Sequence, residues 1–189
     1  MKKIRILVGV VLATLTDIGT GIIIFHLMGK AFNYELPIYF YLVGILFSLL
    51  PDSDLLLIKI GLVKDHHQFP THYPLISIPV ICLFMFGIVM IYKVAYPGFW
   101  VSVATLCLFF HYIDDTWGRT SGIGLRWLMP WGKKYYSFWP RRVLTEKEIK
   151  EAELLSPEQW VEYHYLRLTP ELLLGVAMFL VGLALVFLW

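Results

Sequence analysis

Charged residues are scarce in this sequence. Asp, Glu, Lys and Arg together make up 16% of the 189 residues, whereas 58% of the residues are hydrophobic and 16% are aromatic. A soluble domain of this length needs more polar side chains to cover its surface. The composition therefore excludes an ordinary soluble protein and predicts an integral membrane protein.

Cysteine and net charge are also low. The two cysteines, Cys82 and Cys107, lie in separate apolar segments without a Cys-x-x-Cys or metal-finger spacing, so we interpret them as packing residues. The formal net charge is only +2, which is too small to indicate a nucleic-acid partner. The basic residues are informative through their positions instead.

Apolar segments long enough to span or nearly span a bilayer recur along the chain, judged at about 1.5 Å of helix per residue. They cover residues 4–28, 36–50, 74–93, 98–113 and 170–188. Pro37, Pro74 and Pro170 lie near predicted helix starts, and Pro51 closes the second segment. The prediction is an all-α membrane protein, a single domain over residues 1–189 with a bundle of about five transmembrane helices.

The basic residues divide unevenly between the two sides of such a bundle. If the first segment starts in the cytoplasm, 14 of the 16 Lys and Arg residues fall on the cytoplasmic side, and only Lys30 and Lys93 fall on the other. The positive-inside rule then predicts a multi-pass protein of the inner (cytoplasmic) membrane, with the N-terminus in the cytoplasm and the C-terminus outside.

The one sizeable polar insert, residues 116–169, joins the fourth and fifth segments on the cytoplasmic side. Its first half, residues 124–142, interleaves Trp and Tyr with Lys and Arg, a mixture that suits the lipid headgroup layer. Its second half has capping-box spacings that predict two short surface helices.

Ionisable residues near a membrane span are costly unless a partner, a water-filled cavity or a metal ion compensates them. This sequence has such residues within or at the ends of four of the segments. They are Asp17 in the first, Asp52 and Asp54 after the second, His67 and His72 before the third, and His111 and Asp115 at the end of the fourth.

The predicted topology brings these residues to one face of the membrane. Counted along the helices, Asp17, Asp52 and His111 lie roughly 16 to 24 Å from the outer face, and His111 and Asp115, four residues apart, share one helical face. Each group alone has an ordinary interpretation as a turn cap or a loop histidine. Their coincidence favours a metal site formed by Asp17, Asp52, Asp54, His67, His72, His111 and Asp115.

Oxygen and imidazole ligands without thiolate suit zinc, manganese or ferrous iron, and this number of ligands could hold one or two ions. Zinc is our first expectation. A divalent ion supports hydrolysis by activated water, with Asp54 or Asp115 as general base. A membrane site favours a lipid or lipid-linked phosphoester, whose anionic headgroup would contact Arg126, Arg141 and Arg142.

Three interpretations stay open at this stage. The basic residues have an alternative role as topological anchors. The same acidic and imidazole groups could form the path of an ion- or proton-coupled transporter, although an internal repeat is not evident. A third possibility is a non-enzymatic membrane scaffold that the metal only stabilises.

The residues also resemble the YdjM-like (LexA-regulated) inner-membrane family, whose members are described as metal-dependent hydrolases. That family has a Leu-Pro-Asp-x-Asp, a His-Arg-Gly-x-Thr-His and a His-x-x-x-Asp motif, followed by Thr-Pro-x-Gly and Trp-Pro. The counterparts here span about residues 10 to 142 and are Leu50 to Asp54, His67 to His72 with Thr71 retained, His111 to Asp115, Thr120 to Gly124, and Trp139 to Arg142. The resemblance implies a metal site and a hydrolase.

Two positions depart from the family pattern. Gln68 and Phe69 replace the usual Arg-Gly, and Asp17 stands where the family has a histidine in the first helix. Aspartate can still ligate a metal ion. Loss of the arginine removes one group for holding an anionic substrate, so the resemblance implies the metal site more strongly than the substrate.

Overall fold

The computed structural model describes residues 2–35, 37–62, 70–117, 124–138, 166 and 168–188. Three of the residues that the sequence singles out, His67, Arg141 and Arg142, lie outside this described part. So do the two short helices predicted for the second half of the insert.

Most of the described residues fold as helices. These helices are α1 (Lys2–Ala13), α2 (Leu15–Ala31), α3 (Tyr41–Leu49), α4 (Asp54–Lys59), α5 (Pro74–Ile91), α6 (Pro97–Trp117) and α7 (Pro170–Leu188). Within the described ranges the only β-type pairing is an isolated bridge between Leu125 and Tyr136. The predicted all-α class is confirmed.

The number of membrane spans is confirmed only in part. Two helical stretches among the described residues, Ile4–Ala31 and Pro74–Ile91, are long and apolar enough to cross a membrane, and a bent pair raises the number to three. The apolar part of α7, Leu172–Leu188, is shorter, and α6 ends in a polar stretch with Asp114 and Asp115. The predicted count of five spans is therefore not confirmed.

A sharp elbow separates α3 from α4. The helical axis turns by 70° between Ile38–Leu49 and Pro51–Ile58, and Pro51 opens a 3-10 turn over Pro51–Ser53 at this bend. Proline cannot donate the backbone hydrogen bond that would continue α3, and its ring clashes with the preceding turn. The predicted end of the second segment at Pro51 is confirmed, and the elbow presents Asp52 and Asp54 towards the other helices.

Two glycines let α2 lie against its neighbours at backbone distance. A Cβ at Gly21 would lie 2.6 Å from the carbonyl oxygen of Gly44 on α3, and a Cβ at Gly19 would collide with the backbone of Met178 on α7. Small residues at helix crossings are a common means of close packing in membranes, where contact between helices replaces contact with lipid. This packing fixes α2, and with it Asp17, against α3.

One face of α6 forms the centre of the bundle. Phe99, Val103 and Cys107 are four residues apart and fully buried, and they pack with Phe25 of α2 and Val89 of α5. Because residues four apart share a helical face, the same stripe continues into His111 and Asp115. The core of the bundle therefore leads directly to the candidate site.

Large apolar side chains cover the outside of the helices. Leu46, Leu83, Phe84, Ile91 and Phe187 are each more than half exposed in the isolated chain. In water such surfaces would mark an interaction site or an aggregation hazard. On the helices of a membrane protein they are the surface that faces lipid.

We expect Gly21→Ala to destabilise the bundle by about 1 to 3 kcal/mol, because the added methyl group must displace the α3 backbone. The measurement is thermal unfolding in detergent. Gly87→Ala on α5 is the matched control, since a Cβ there meets no atom within 4 Å. Equal unfolding temperatures for the two variants would contradict the close approach of α2 and α3.

Candidate metal centre

Four parts of the chain bring carboxylates and imidazoles together. Asp52 lies in the 3-10 turn after α3, and His72 ends the 3-10 turn Pro70–His72 that precedes α5. His111 comes from the last turns of α6, and Asp17 comes from the first turn of α2. The structure therefore brings these sequence-distant groups close to one another.

Asp52, His72 and His111 form the centre of this group. One potential ligand atom from each of them lies within 4.8 Å of the other two, the only such group of three among the described residues. Asp52 Oδ1 is 3.6 Å from His72 Nε2 and 3.4 Å from His111 Nε2. These spacings match the distance of about 3.4 Å between ligand atoms in a tetrahedral site with bonds of about 2.1 Å.

Asp115 lies beside the same two imidazoles. Its Oδ2 is 3.6 Å from His72 Nε2 and 3.3 Å from His111 Nε2. The shorter distance joins residues one helical turn apart on α6, as the His-x-x-x-Asp spacing predicts. Asp115 therefore adjoins the three-residue group and is placed to ligate an ion or to act on a molecule bound to it.

The other nitrogen of the His111 ring is held by Asp17. His111 Nδ1 donates a hydrogen bond to Asp17 Oδ1 over 2.8 Å, and both side chains are buried. A carboxylate that accepts this bond keeps the proton on Nδ1 and leaves the lone pair on Nε2. Asp17 thus lies on the side of the ring away from Asp52.

His72 has a matching arrangement. Its Nδ1 donates to Asp54 Oδ2 over 3.1 Å, and neither side chain is exposed to solvent. The Thr71 hydroxyl also donates to Asp54 Oδ2, over 3.1 Å. Asp54 therefore orients His72 as Asp17 orients His111, and the sequence did not distinguish such orienting carboxylates from direct ligands.

The donor atoms fit a divalent ion. His111 Nε2 is buried and makes no hydrogen bond with any residue in the described ranges, although it points towards Asp52 and Asp115. Imidazole with its second nitrogen bound to a carboxylate is the usual arrangement of histidine ligands in zinc sites. Two imidazoles and a carboxylate suit zinc and also manganese or iron, so the donor set alone does not choose between them.

The two kinds of ligand differ in exposure. The His72 and His111 side chains are 0% and 3% exposed, whereas those of Asp52 and Asp115 are 24% and 20% exposed. The two imidazoles are therefore buried, whereas the two carboxylate side chains are partly exposed.

A loop of the insert lies against the end of α6 next to this site. The Trp127 indole donates to the Thr116 hydroxyl over 2.6 Å, and the Phe138 amide donates to the Thr116 carbonyl over 3.0 Å. Leu125 is fully buried against Leu108 and Tyr112. The described part of this aromatic half, residues 124–138, is thus anchored at the end of α6.

Arg126 is the only proposed substrate-binding arginine that lies among the described residues. It is half-buried, and its guanidinium carbon lies 4.4 Å from the centre of the Tyr135 ring. This cation–π contact orients the side chain.

Sequence reasoning missed the residues that hold the histidine-bearing turn. The Tyr112 hydroxyl donates to the Thr71 carbonyl over 2.6 Å and lies 2.7 Å from Ser77 Oγ. Thr71 stood out only as part of a motif, and neither Tyr112 nor Ser77 belongs to a recognisable spacing. Their role depends on contacts 41 and 35 residues apart along the chain.

A family model, that of the YdjM inner membrane protein, matches residues 12–188. The chain belongs to the YdjM inner membrane protein family. The resemblance found in the motifs is confirmed, and it extends beyond residue 142 to include α7. Membership in the YdjM family and the apolar helices together identify a membrane protein.

No curated protein and no solved structure matches the chain. The YdjM assignment therefore rests on the family model and on the motifs themselves.

We expect the purified YdjM-family protein to bind a divalent ion and His111→Gln to lose it, because glutamine cannot supply the imidazole lone pair. The measurement is metal content by mass spectrometry after dialysis against zinc. His26→Gln is the matched control, since His26 is equally buried but bonds the Tyr41 hydroxyl over 2.9 Å. Equal metal content in the two variants would contradict the assignment.

Proposed function

We propose that this protein is a metal-dependent hydrolase embedded in the membrane, acting on a lipid or lipid-linked phosphoester at the cytoplasmic face. The observation that carries the proposal is the group of Asp52, His72 and His111, with buried imidazoles and a partly exposed carboxylate edge. Catalytic zinc sites commonly use three protein ligands of this kind and leave a further position open.

In this proposal Asp52, His72 and His111 hold the ion. A divalent ion at this position supplies Lewis acidity towards an ester or phosphoryl oxygen and makes water a nucleophile near neutral pH. Such chemistry does not require a serine or cysteine nucleophile. Asp17 and Asp54 keep the proton on Nδ1 of each imidazole, so that both Nε2 atoms face the ion.

Of the two expected general bases, we favour Asp115. Asp54 is fully buried and already accepts hydrogen bonds from Thr71 and His72. The Asp115 side chain is 20% exposed, and its Oδ2, which is itself buried, lies within 3.6 Å of both Nε2 atoms. A carboxylate in this position can take a proton from water bound between the imidazoles.

The location favours a lipid substrate. The site lies at the end of α6, where the loop anchored by Trp127 and Phe138 carries Arg126, Lys133 and Lys134. Aromatic and basic side chains of this kind belong to the lipid headgroup layer. With the N-terminus inside and the C-terminus outside, this edge faces the cytoplasm, and membrane lipids rather than nucleic acid are the partners.

One observation favours a transporter as the second candidate. The 70° elbow between α3 and α4 resembles the broken helices that form ion sites in transporters. A metal-stabilised scaffold is the third candidate. Hydrolysis separates the first candidate from the other two, because only the hydrolase releases product, and absence of bound metal would separate a metal-free scaffold from the first two.

We expect Asp17→Asn and Asp54→Asn each to weaken metal binding by about 10- to 100-fold, the usual effect of changing a partner of a ligating histidine. Asparagine has nearly the same shape but lacks the charge that supports the imidazole. The measurement is zinc affinity by competition with a chelating dye. Unchanged affinity in both variants would show that the carboxylates do not act through the histidines.

We expect the wild-type protein to release product from phospholipids or lipid phosphates in detergent and Asp52→Ala to release none. Asp115→Asn should keep its metal but lose product release, because it removes the general base and keeps the ligands. The measurement is product formation alongside metal content. Equally slow release by wild type and Asp52→Ala would defeat the hydrolase proposal, and bound metal without hydrolysis would leave the transporter and the metal-stabilised scaffold.

A further inference from the structure

We propose that Tyr112 is a positioning residue for the metal site and that its hydroxyl holds His72 in place opposite His111. The inference rests on the proposed metal site and adds a residue that the motifs do not identify. Tyr112 follows His111 directly on α6, and its hydroxyl reaches the turn that carries His72.

Tyr112 contacts both histidines. Its side chain is fully buried, and its ring lies edge-on to the ring of His111 at 5.7 Å and to that of His72 at 6.4 Å. The Tyr112 ring therefore lies beside both imidazole rings. An aromatic residue at this position restricts the tilt of both rings.

The hydroxyl adds a specific constraint. Because a carbonyl oxygen can only accept, Tyr112 donates its proton to the Thr71 carbonyl over 2.6 Å. The Ser77 hydroxyl lies 2.7 Å from the Tyr112 hydroxyl and donates its own proton to the Tyr73 carbonyl over 2.9 Å. The bond from Tyr112 to Thr71 therefore uses neither the proton nor the oxygen of Ser77.

The consequence is that α6 contributes to the position of both imidazoles. His111 belongs to α6 itself, and His72 is held to α6 through the bond from Tyr112 to the residue before it. Without the hydroxyl, the Pro70–His72 turn loses one of the bonds that hold it, besides the bonds of Thr71 and His72 to Asp54, and it can shift. A shift of the turn alters the distance between the two Nε2 atoms, on which metal affinity depends.

The experiment compares Tyr112→Phe with two controls in the purified full-length protein. Ser77→Ala removes the neighbouring hydroxyl but leaves the donor to Thr71. Tyr41→Phe removes another tyrosine hydroxyl that bonds a buried histidine, His26, over 2.9 Å, about 14 Å along α2 from Asp17. Zinc affinity, the visible spectrum of bound cobalt and the unfolding temperature of the metal-free protein are measured for each.

We expect Tyr112→Phe to weaken zinc binding about 10-fold or more, within the range for residues that support a ligand, and to change the cobalt spectrum, which reports ligand geometry. Ser77→Ala should weaken binding less than Tyr112→Phe, and Tyr41→Phe should leave affinity and spectrum unchanged. The metal-free unfolding temperatures of the two tyrosine variants should fall by similar amounts.

The outcomes separate this inference from the proposed function. Wild-type zinc affinity and cobalt spectrum in Tyr112→Phe would overturn the positioning role and leave the metal site intact. Equal losses in Ser77→Ala and Tyr112→Phe would also overturn it, since they would indicate general packing. A wild-type protein that binds neither zinc nor cobalt would overturn the proposed function and this inference together.

Discussion

The structure depends on two buried hydrogen bonds between a carboxylate and an imidazole, Asp17 with His111 and Asp54 with His72. Each bond joins residues that are distant in the chain and places polar groups where an unpaired charge would be costly. Together they fix both rings with Nε2 towards Asp52. The packing of α2 on α3, the elbow at Pro51 and the turn before α5 all serve to bring these partners into contact.

The apolar bundle explains how such a site can be held. Phe99, Val103 and Cys107 pack the face of α6 that ends in His111, so the position of the ligand is set by the core. Gly19 and Gly21 remove the side chains that would separate α2 from its neighbours. A metal site needs rigid support of this kind, because small displacements of the ligand atoms change the affinity for the metal ion and the reactivity of the site.

The carboxylates of the candidate metal centre differ in burial. Burial assigns Asp54 to support, whereas partial exposure leaves Asp52 and Asp115 at the accessible edge. A site that the protein surrounded completely would suit structural metal. The partial exposure of Asp52 and Asp115 is the basis of our proposal that the site acts on a lipid substrate.

The sequence by itself determined the helical membrane class, the end of α3 at Pro51 and the residues with chemistry, because composition, proline chemistry and helical spacing are local properties. It also identified the YdjM family through its motifs. Of the five spans that it predicts, two, or three with the bent pair, are confirmed among the described residues.

Which carboxylates lie beside both Nε2 atoms, and which accept a hydrogen bond from a histidine Nδ1, depends on the tertiary structure. Asp52 and Asp54 are two residues apart, yet one lies beside both Nε2 atoms and the other binds Nδ1 of His72. The elbow and the approach of the His72 turn set this difference. The role of Tyr112 is likewise a property of contacts between distant segments, because its partner Thr71 comes within reach only when α6 packs against α5, which the Pro70–His72 turn precedes.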